Sequence, residues 1–145
     1  MTQFHDTVRE ELTDILGTLE SHYKLNSPNE VLLFADGERS LTIADLARET
    51  SSLGYQGSPD KTYQVYTHSI MGGNKKVGQL VTQPKKGLIG VEISDSGSTK
   101  TPFRFKMEVG FGGRVMDYKL EGSDGLVRAH YQKSMIVNVL KEYLR

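Results

Sequence analysis

The chain has 145 residues, of which 25% are charged and 37% hydrophobic, with a formal net charge of zero and no cysteine. The length suits one domain, and the lack of cysteine excludes disulfides, thiolate metal ligands and cysteine nucleophiles. The first residues lack the cationic start and apolar run of a secretory signal, and no apolar run reaches the ~20 residues of a membrane span. We therefore expect a cytoplasmic domain that does not enter a membrane.

The charge is divided unevenly along the chain. Residues 1–60 contain four basic and eleven acidic residues, residues 61–120 ten and four, and residues 121–145 four and three. A basic segment of this kind indicates an anionic ligand, or else electrostatic attraction between the acidic and basic parts of one fold. Both interpretations stay open at the level of the sequence.

Residues 1–57 form an acidic, mainly helical part. Apolar residues recur at three- and four-residue spacing from Phe4 to Tyr23, which predicts an amphipathic helix that ends before Pro28. The apolar run over residues 31–35 then predicts a buried strand.

A second, shorter helix is predicted after this strand. Thr42 and Asp45 have the three-residue spacing of a capping box, in which each residue's side chain accepts a hydrogen bond from the other's backbone amide. Gly54 is expected to end that helix.

Residues 58–130 form a basic part, where short runs rich in β-branched and aromatic residues alternate with glycine turns. They predict strands near 62–71, 76–83, 87–93, 102–109, 114–120 and 125–130. Residues 131–145 carry the apolar stripe of a C-terminal helix. This order predicts a single α+β domain with a mainly antiparallel sheet of about six or seven strands, on which the N- and C-terminal amphipathic helices pack.

The stretch SIMGGNKKVGQLVTQPKKG contains two lysine pairs beside glycines. Successive backbone amides at its first glycines can form a nest for an anion. Together with the outward basic residues of the run FRFKMEV, the candidate anion-binding residues are Gly72, Gly73, Asn74, Lys75, Lys76, Lys85, Lys86, Arg104 and Lys106.

The alternative for this stretch is a glycine turn with solvated lysines at the two ends of one strand. Such a strand is about 20–25 Å long, so one phosphate group cannot contact both lysine pairs. The residues between the pairs also include no aromatic side chain on which a nucleic-acid base could stack. The structural interpretation is therefore preferred over extended anion contact and over a compact phosphate site.

The remaining sequence motifs predict no catalytic residues, no metal site and no cofactor. The histidines at positions 5, 22, 68 and 130 match no metal-binding or phosphoesterase spacing. The stretch ISDSGSTKTPF has Lys106 where a calcium loop beginning at Asp95 would need glutamate. The helix predicted after Thr42 is not followed by the recognition helix of a helix-turn-helix motif.

The first hypothesis for function is a non-enzymatic binding or adaptor protein that acts on an unidentified protein partner. The second is a binder of a phosphate-rich ligand, a nucleotide or nucleic acid, through residues 61–120. The third is a small enzyme whose catalytic residues are scattered in the sequence and show no motif. The exposed edges of an open sheet also lead us to expect a homo-oligomer, in the form of a two-fold dimer.

Overall fold

The computed structural model describes residues 3–26, 29–35, 37, 39–48, 59–69, 72–94, 102–110, 115–121 and 126–144, and only the backbone of residues 3–8, 26 and 47. These residues form three helices and eight strands. In chain order they are α1 (Gln3–Asn26), β1 (Glu30–Phe34), β2 (Leu41–Thr42), α2 (Ile43–Arg48), β3 (Lys61–Ser69), β4 (Gly73–Gln83), β5 (Leu88–Ile93), β6 (Phe103–Val109), β7 (Val115–Glu121), β8 (Val127–Tyr131) and α3 (Lys133–Tyr143).

All eight strands belong to one sheet, in the order β2-β1-β3-β4-β5-β6-β7-β8, and every neighbouring pair is antiparallel. The prediction of an α+β fold with an antiparallel sheet is confirmed. All seven predicted strands are present, and the eighth is β2, whose two residues are too few to show alternation. Residues 95–101 of the stretch ISDSGSTKTPF lie outside the described residues, and so does Gly54, which was predicted to end the second helix.

One face of the sheet, the inward face, is covered by the helices. Along β1, β3, β5 and β6 every second residue is buried, as period-two alternation predicts. The stripe of α1 completes this core with Leu12, Ile15, Leu16 and Leu19, and α3 adds Ile136 and Leu140, all of them at most 1% exposed. The outermost predicted stripe residues of α1, Phe4 and Val8, lie outside the described side chains.

A polar cluster joins α1, β7 and α3 at the margin of this core. The hydroxyl of Tyr118 donates a short hydrogen bond to Glu11, and Lys133 Nζ lies 2.6 Å from Asp14 Oδ2 and 3.5 Å from Glu11 Oε2. Burial, followed by the hydrogen bond to Glu11, raises the pKa of Tyr118. The hydrogen bond to Asp14 is the main cause that raises the pKa of Lys133.

The start of α2 confirms the predicted capping box. Asp45 N donates to Thr42 Oγ1 at 3.0 Å, and Thr42 N donates to Asp45 Oδ2 at 3.1 Å. The hydrogen bond from the Thr42 backbone amide, followed by the hydrogen bond from the Arg48 side chain, lowers the pKa of Asp45. No helix in the described part of the chain is both long and apolar enough to cross a membrane.

Candidate functional site

The face of the sheet opposite the helices, which we name the outward face, is the candidate site. Because side chains alternate along a strand, the residues between the buried ones point to it. From β1 to β7 these outward residues include Glu30, Leu32, Phe34, Thr62, Gln64, Tyr66, His68, Lys76, Gln79, Val81, Gln83, Leu88, Gly90, Glu92, Arg104, Lys106, Glu108, Asp117, Lys119 and Glu121.

Seven of the outward residues of β1, β3 and β4 are uncharged, and we name these seven the neutral half. Its members are Leu32, Phe34, Gln64, Tyr66, Gln79, Val81 and Gln83, each of intermediate exposure. The rings of Phe34 and Tyr66 pack edge to face, with 5.8 Å between their centroids. Charged or titratable side chains border the neutral half at both ends of these strands. Glu30, His68 and Lys76 lie at one end, and at the other end Gln83 Nε2 donates to Asp60 Oδ2 at 3.3 Å.

The outward residues from Glu92 to Glu121 form a charged half on β5, β6 and β7. Arg104 Nε lies 2.7 Å from Glu92 Oε2, and its Nη1 lies 3.5 Å from Glu121 Oε1. These contacts, led by the hydrogen bond to Glu92, raise the pKa of Arg104. Lys119 Nζ likewise donates a hydrogen bond to Glu108 Oε1 at 2.5 Å, and this bond raises the pKa of Lys119.

A depression of about 160 Å³ lies where the two halves meet. Gly90 stands at its floor, since it pairs with Val81 on one side and with Lys106 on the other and carries no side chain. A Cβ atom built on Gly90 would meet nothing within 4 Å. Val127, which is 55% exposed, also lines the depression. Val81 and Val127 thus give the depression an apolar residue on its β4 and β8 sides, with Gln79 beside Val81 and charged side chains on the strands between.

Lys106 differs from the other two cations of the charged half. No hydrogen bond or ion pair joins its side chain to another residue in the described ranges, and it is exposed. The carboxylates around it already have partners: Glu92 and Glu121 contact Arg104, and Glu108 contacts Lys119.

The fourth carboxylate of the charged half, Asp117, accepts a hydrogen bond from the backbone amide of His130 at 2.7 Å. Lys106 therefore keeps its three ammonium donors for solvent or for a ligand.

The anion-binding residues predicted at the start of β4 form a hairpin end. Gly73 has a φ of 73°, which suits a tight turn, and the amide of Gly72 donates to Ser69 Oγ at 3.3 Å. The distance between Asn74 Oδ1 and His68 Nδ1 is 2.5 Å. Lys75 and Lys76 follow on β4, opposite Thr67 and Tyr66.

The other predicted lysine pair lies at the far end of β4. Lys85 and Lys86 are exposed in the turn that joins β4 to β5. The structure thus brings Arg104 and Lys106 together on β6 but leaves the two lysine pairs at opposite ends of an 11-residue strand.

Attraction between acidic helices and basic strands was one interpretation of the uneven charge. Arg104 and Lys119 instead pair with carboxylates on the sheet itself. Among the described contacts between different helices, the acidic α1 pairs with Lys133 of α3. Arg104 and Lys119 are thus paired within the sheet, while residues 61–120 keep an excess of positive charge.

Gly90 is the site residue that the motif search missed. The signal was present, since glycine interrupts the strand pattern LIGVEI and an interior glycine often marks close approach of a ligand or another chain. Among the residues that the structure describes, no group of three or more His, Asp or Glu side chains could hold a metal ion.

No protein-family model matches the chain, and neither the curated proteins nor the solved structures contain a significant match.

Proposed function

We propose that the protein is a non-enzymatic binding protein of the adaptor kind, which holds another protein against the outward face of its sheet. The observation that carries this proposal is the neutral half, where seven neighbouring outward positions on three strands are apolar, aromatic or amide side chains. A sheet face turned to water normally carries polar and charged side chains.

The two halves together resemble the composition of a protein interface. The centres of such interfaces are poor in charged residues and rich in aromatic ones, while their rims are polar. Here Phe34 and Tyr66 belong to the neutral half, with Lys76 opposite Tyr66 at its border, and the ion pairs of Arg104 and Lys119 lie on the neighbouring charged half.

The pairing of the cations favours a protein partner over a phosphate-rich ligand. Arg104 and Lys119 would have to give up their carboxylates before they could bind a phosphate. The exposed lysine pairs stand at opposite ends of β4, which suits solvated strand ends.

The test is selection of short random peptides, displayed on phage, against the immobilised protein. We expect native protein to enrich a set of peptides that Val81→Lys binds at least about tenfold more weakly, because that change places a charge in the neutral half. Gln79→Lys provides a second variant in the same half, at a position that is already polar. Thermal melts establish that each variant is folded.

Ser134→Lys is the matched control, since Ser134 is exposed on α3, which lies on the other side of the sheet. It should bind the selected peptides as the native protein does. Equal binding by the native protein and both neutral-half variants would contradict the proposal, and so would a native protein that enriches no peptide.

A further inference from the structure

We infer that the depression over Gly90 receives one apolar side chain of an extended partner segment, while Lys106 binds a carboxylate on the same segment. This inference rests on the proposed function and specifies its partner: a peptide with an aliphatic or aromatic residue and an Asp or Glu nearby. Neither the depression nor Lys106 alone marks a site, but the register of β5 and β6 places Gly90 and Lys106 directly opposite one another.

The size of the depression decides what it can hold. Its volume of about 160 Å³ is close to that of a cavity that holds one benzene molecule, which is ~150 Å³. One leucine or phenylalanine side chain would fill that space. Such a side chain would be buried from water there, because Val81 and Val127 are apolar and Gly90 has no side chain.

The charges around the depression decide which ionic group accompanies that side chain. Lys106 is the cation of the charged half whose ammonium contacts no described carboxylate, and the carboxylates nearest to it are held by Arg104, Lys119 and the amide of His130. A partner's carboxylate could bind Lys106 without breaking an existing pair. A partner's lysine or arginine would have to compete for carboxylates that are already engaged.

The distance between the two contacts sets the spacing in the partner. Residues on the same side of an extended peptide are two positions apart and about 6.6–6.8 Å from one another. Directly opposed residues of an antiparallel pair are about 4.5–5.5 Å apart at Cα, and the lysine side chain adds reach. A segment with the pattern apolar–any–acidic can therefore fill the depression and meet Lys106 together.

The test uses NMR spectroscopy to follow the backbone amide signals of isotopically labelled protein during titration with synthetic peptides. The probes are extended Ser/Gly-rich peptides that contain Leu and Glu two positions apart, together with forms in which Glu is replaced by Gln or Leu by Ser. We expect the Leu/Glu peptide to shift the amides of Val81, Gly90 and Lys106. The Gln form should bind about two- to fivefold more weakly, the range of an exposed ion pair.

Two variants separate the two contacts. Lys106→Gln should remove the difference between the Glu and Gln peptides, and Lys85→Gln, at an exposed turn lysine, should keep it. Gly90→Val should weaken binding of both peptides by about tenfold, because its side chain occupies the depression.

The outcomes distinguish this inference from the proposed function. If Val81→Lys loses the phage-selected peptides while Gly90→Val and Lys106→Gln bind them like native protein, the partner uses the outward face but not this depression. The inference then fails and the proposed function stands. If the Leu/Glu peptide shifts no outward-face amide, the inference also fails. If none of the four outward variants alters binding of the phage-selected peptides, the proposed function fails as well.

Discussion

Three glycines near the β4–β5 hairpin differ in what a side chain would meet, and this difference gives the first prediction. A Cβ atom on Gly78 would lie 2.0 Å from the carbonyl oxygen of Glu92, and Gly87 has a φ of 66°, whereas the space above Gly90 is empty for 4 Å. Because glycine weakens a strand and valine favours one, Gly90→Val should leave the free energy of unfolding unchanged or raise it by up to about 1 kcal/mol.

Gly78→Ala is the control, and we expect it to destabilise the protein because backbone atoms would have to move. Urea unfolding measures both variants. A Gly90→Val variant that is less stable than native protein by more than about 1 kcal/mol would show that the outward face over Gly90 is not empty.

Tyr118 gives the second prediction at the scale of single residues. It is 7% exposed and its hydroxyl donates to Glu11, so Tyr118→Phe removes the closest donor to a partly buried carboxylate, which keeps only its longer contact with Lys133. We expect a loss of about 1–3 kcal/mol in the free energy of unfolding. Tyr66→Phe removes a tyrosine hydroxyl from the outward face and should change stability by no more than about 0.5 kcal/mol.

The same cluster predicts a loss of stability in alkali. The pKa of Tyr118 is raised in the folded protein by burial and by Glu11, and the pKa of Lys133 is raised by Asp14. A raised folded-state pKa contributes stability that is complete below the unfolded-state value, about 10 for both groups, and is lost as the pH rises above it. Urea unfolding between about pH 8 and pH 11 should show this decline, and the decline should be smaller in Tyr118→Phe.

At the scale of whole elements, α1 offers a matched pair of leucines. Leu16 is fully buried in the core, and Leu25 is 86% exposed near the end of the same helix. Leu16→Ala should cost about 2–5 kcal/mol, the range for a buried leucine, while Leu25→Ala should stay within about 0.5 kcal/mol. Thermal melts that show similar, small losses for both would mean that the stripe of α1 does not form the core.

The long elements could be predicted because their periods are repeated several times. α1 presents four buried positions at helical spacing, and β6 alternates through all seven of its residues. The capping box at Thr42 and Asp45 is equally local, since both partners lie within one turn. β2 could not be predicted this way, because two residues contain no period and its pairing with β1 depends on tertiary contacts.

At the scale of the molecule, the outward face could be predicted only in part. Alternation identified Arg104 and Lys106 as outward residues, but the pairing of strands decides which charges neutralise one another. Glu92 meets Arg104 from 12 positions away, across two neighbouring strands. The depression likewise requires the register that aligns Gly90 with Lys106, which no local pattern in the sequence specifies.

The predicted two-fold dimer concerns the two edges of the sheet and stays a prediction. β2 has only two residues, and β8 is irregular, with His130 at a φ of 68° beside a register shift. Short and bulged edges oppose pairing with another chain, so a dimer that forms at β8 would have to straighten it. Light scattering at high micromolar concentration should give twice the chain mass of 16.2 kDa, and a single-chain mass would contradict the dimer.

The last prediction concerns the four lysines at the ends of β4, where an anion site was weighed against solvated strand ends. Lys75, Lys76, Lys85 and Lys86 are all exposed. Changing all four to glutamine should therefore alter the free energy of unfolding by no more than about 0.5 kcal/mol for each. We also expect the native protein and the fourfold variant to bind a mixed oligonucleotide equally weakly at physiological salt, measured by fluorescence anisotropy.

Salt separates the two interpretations of these lysines. A true polyanion contact would make binding fall steeply with salt, and each lost phosphate contact would reduce the log–log slope by about 0.7–0.9. Micromolar binding by the native protein that the four substitutions abolish would therefore make the phosphate-rich ligand the leading function. Weak binding that the four substitutions leave unchanged would identify these lysines as solvated strand ends.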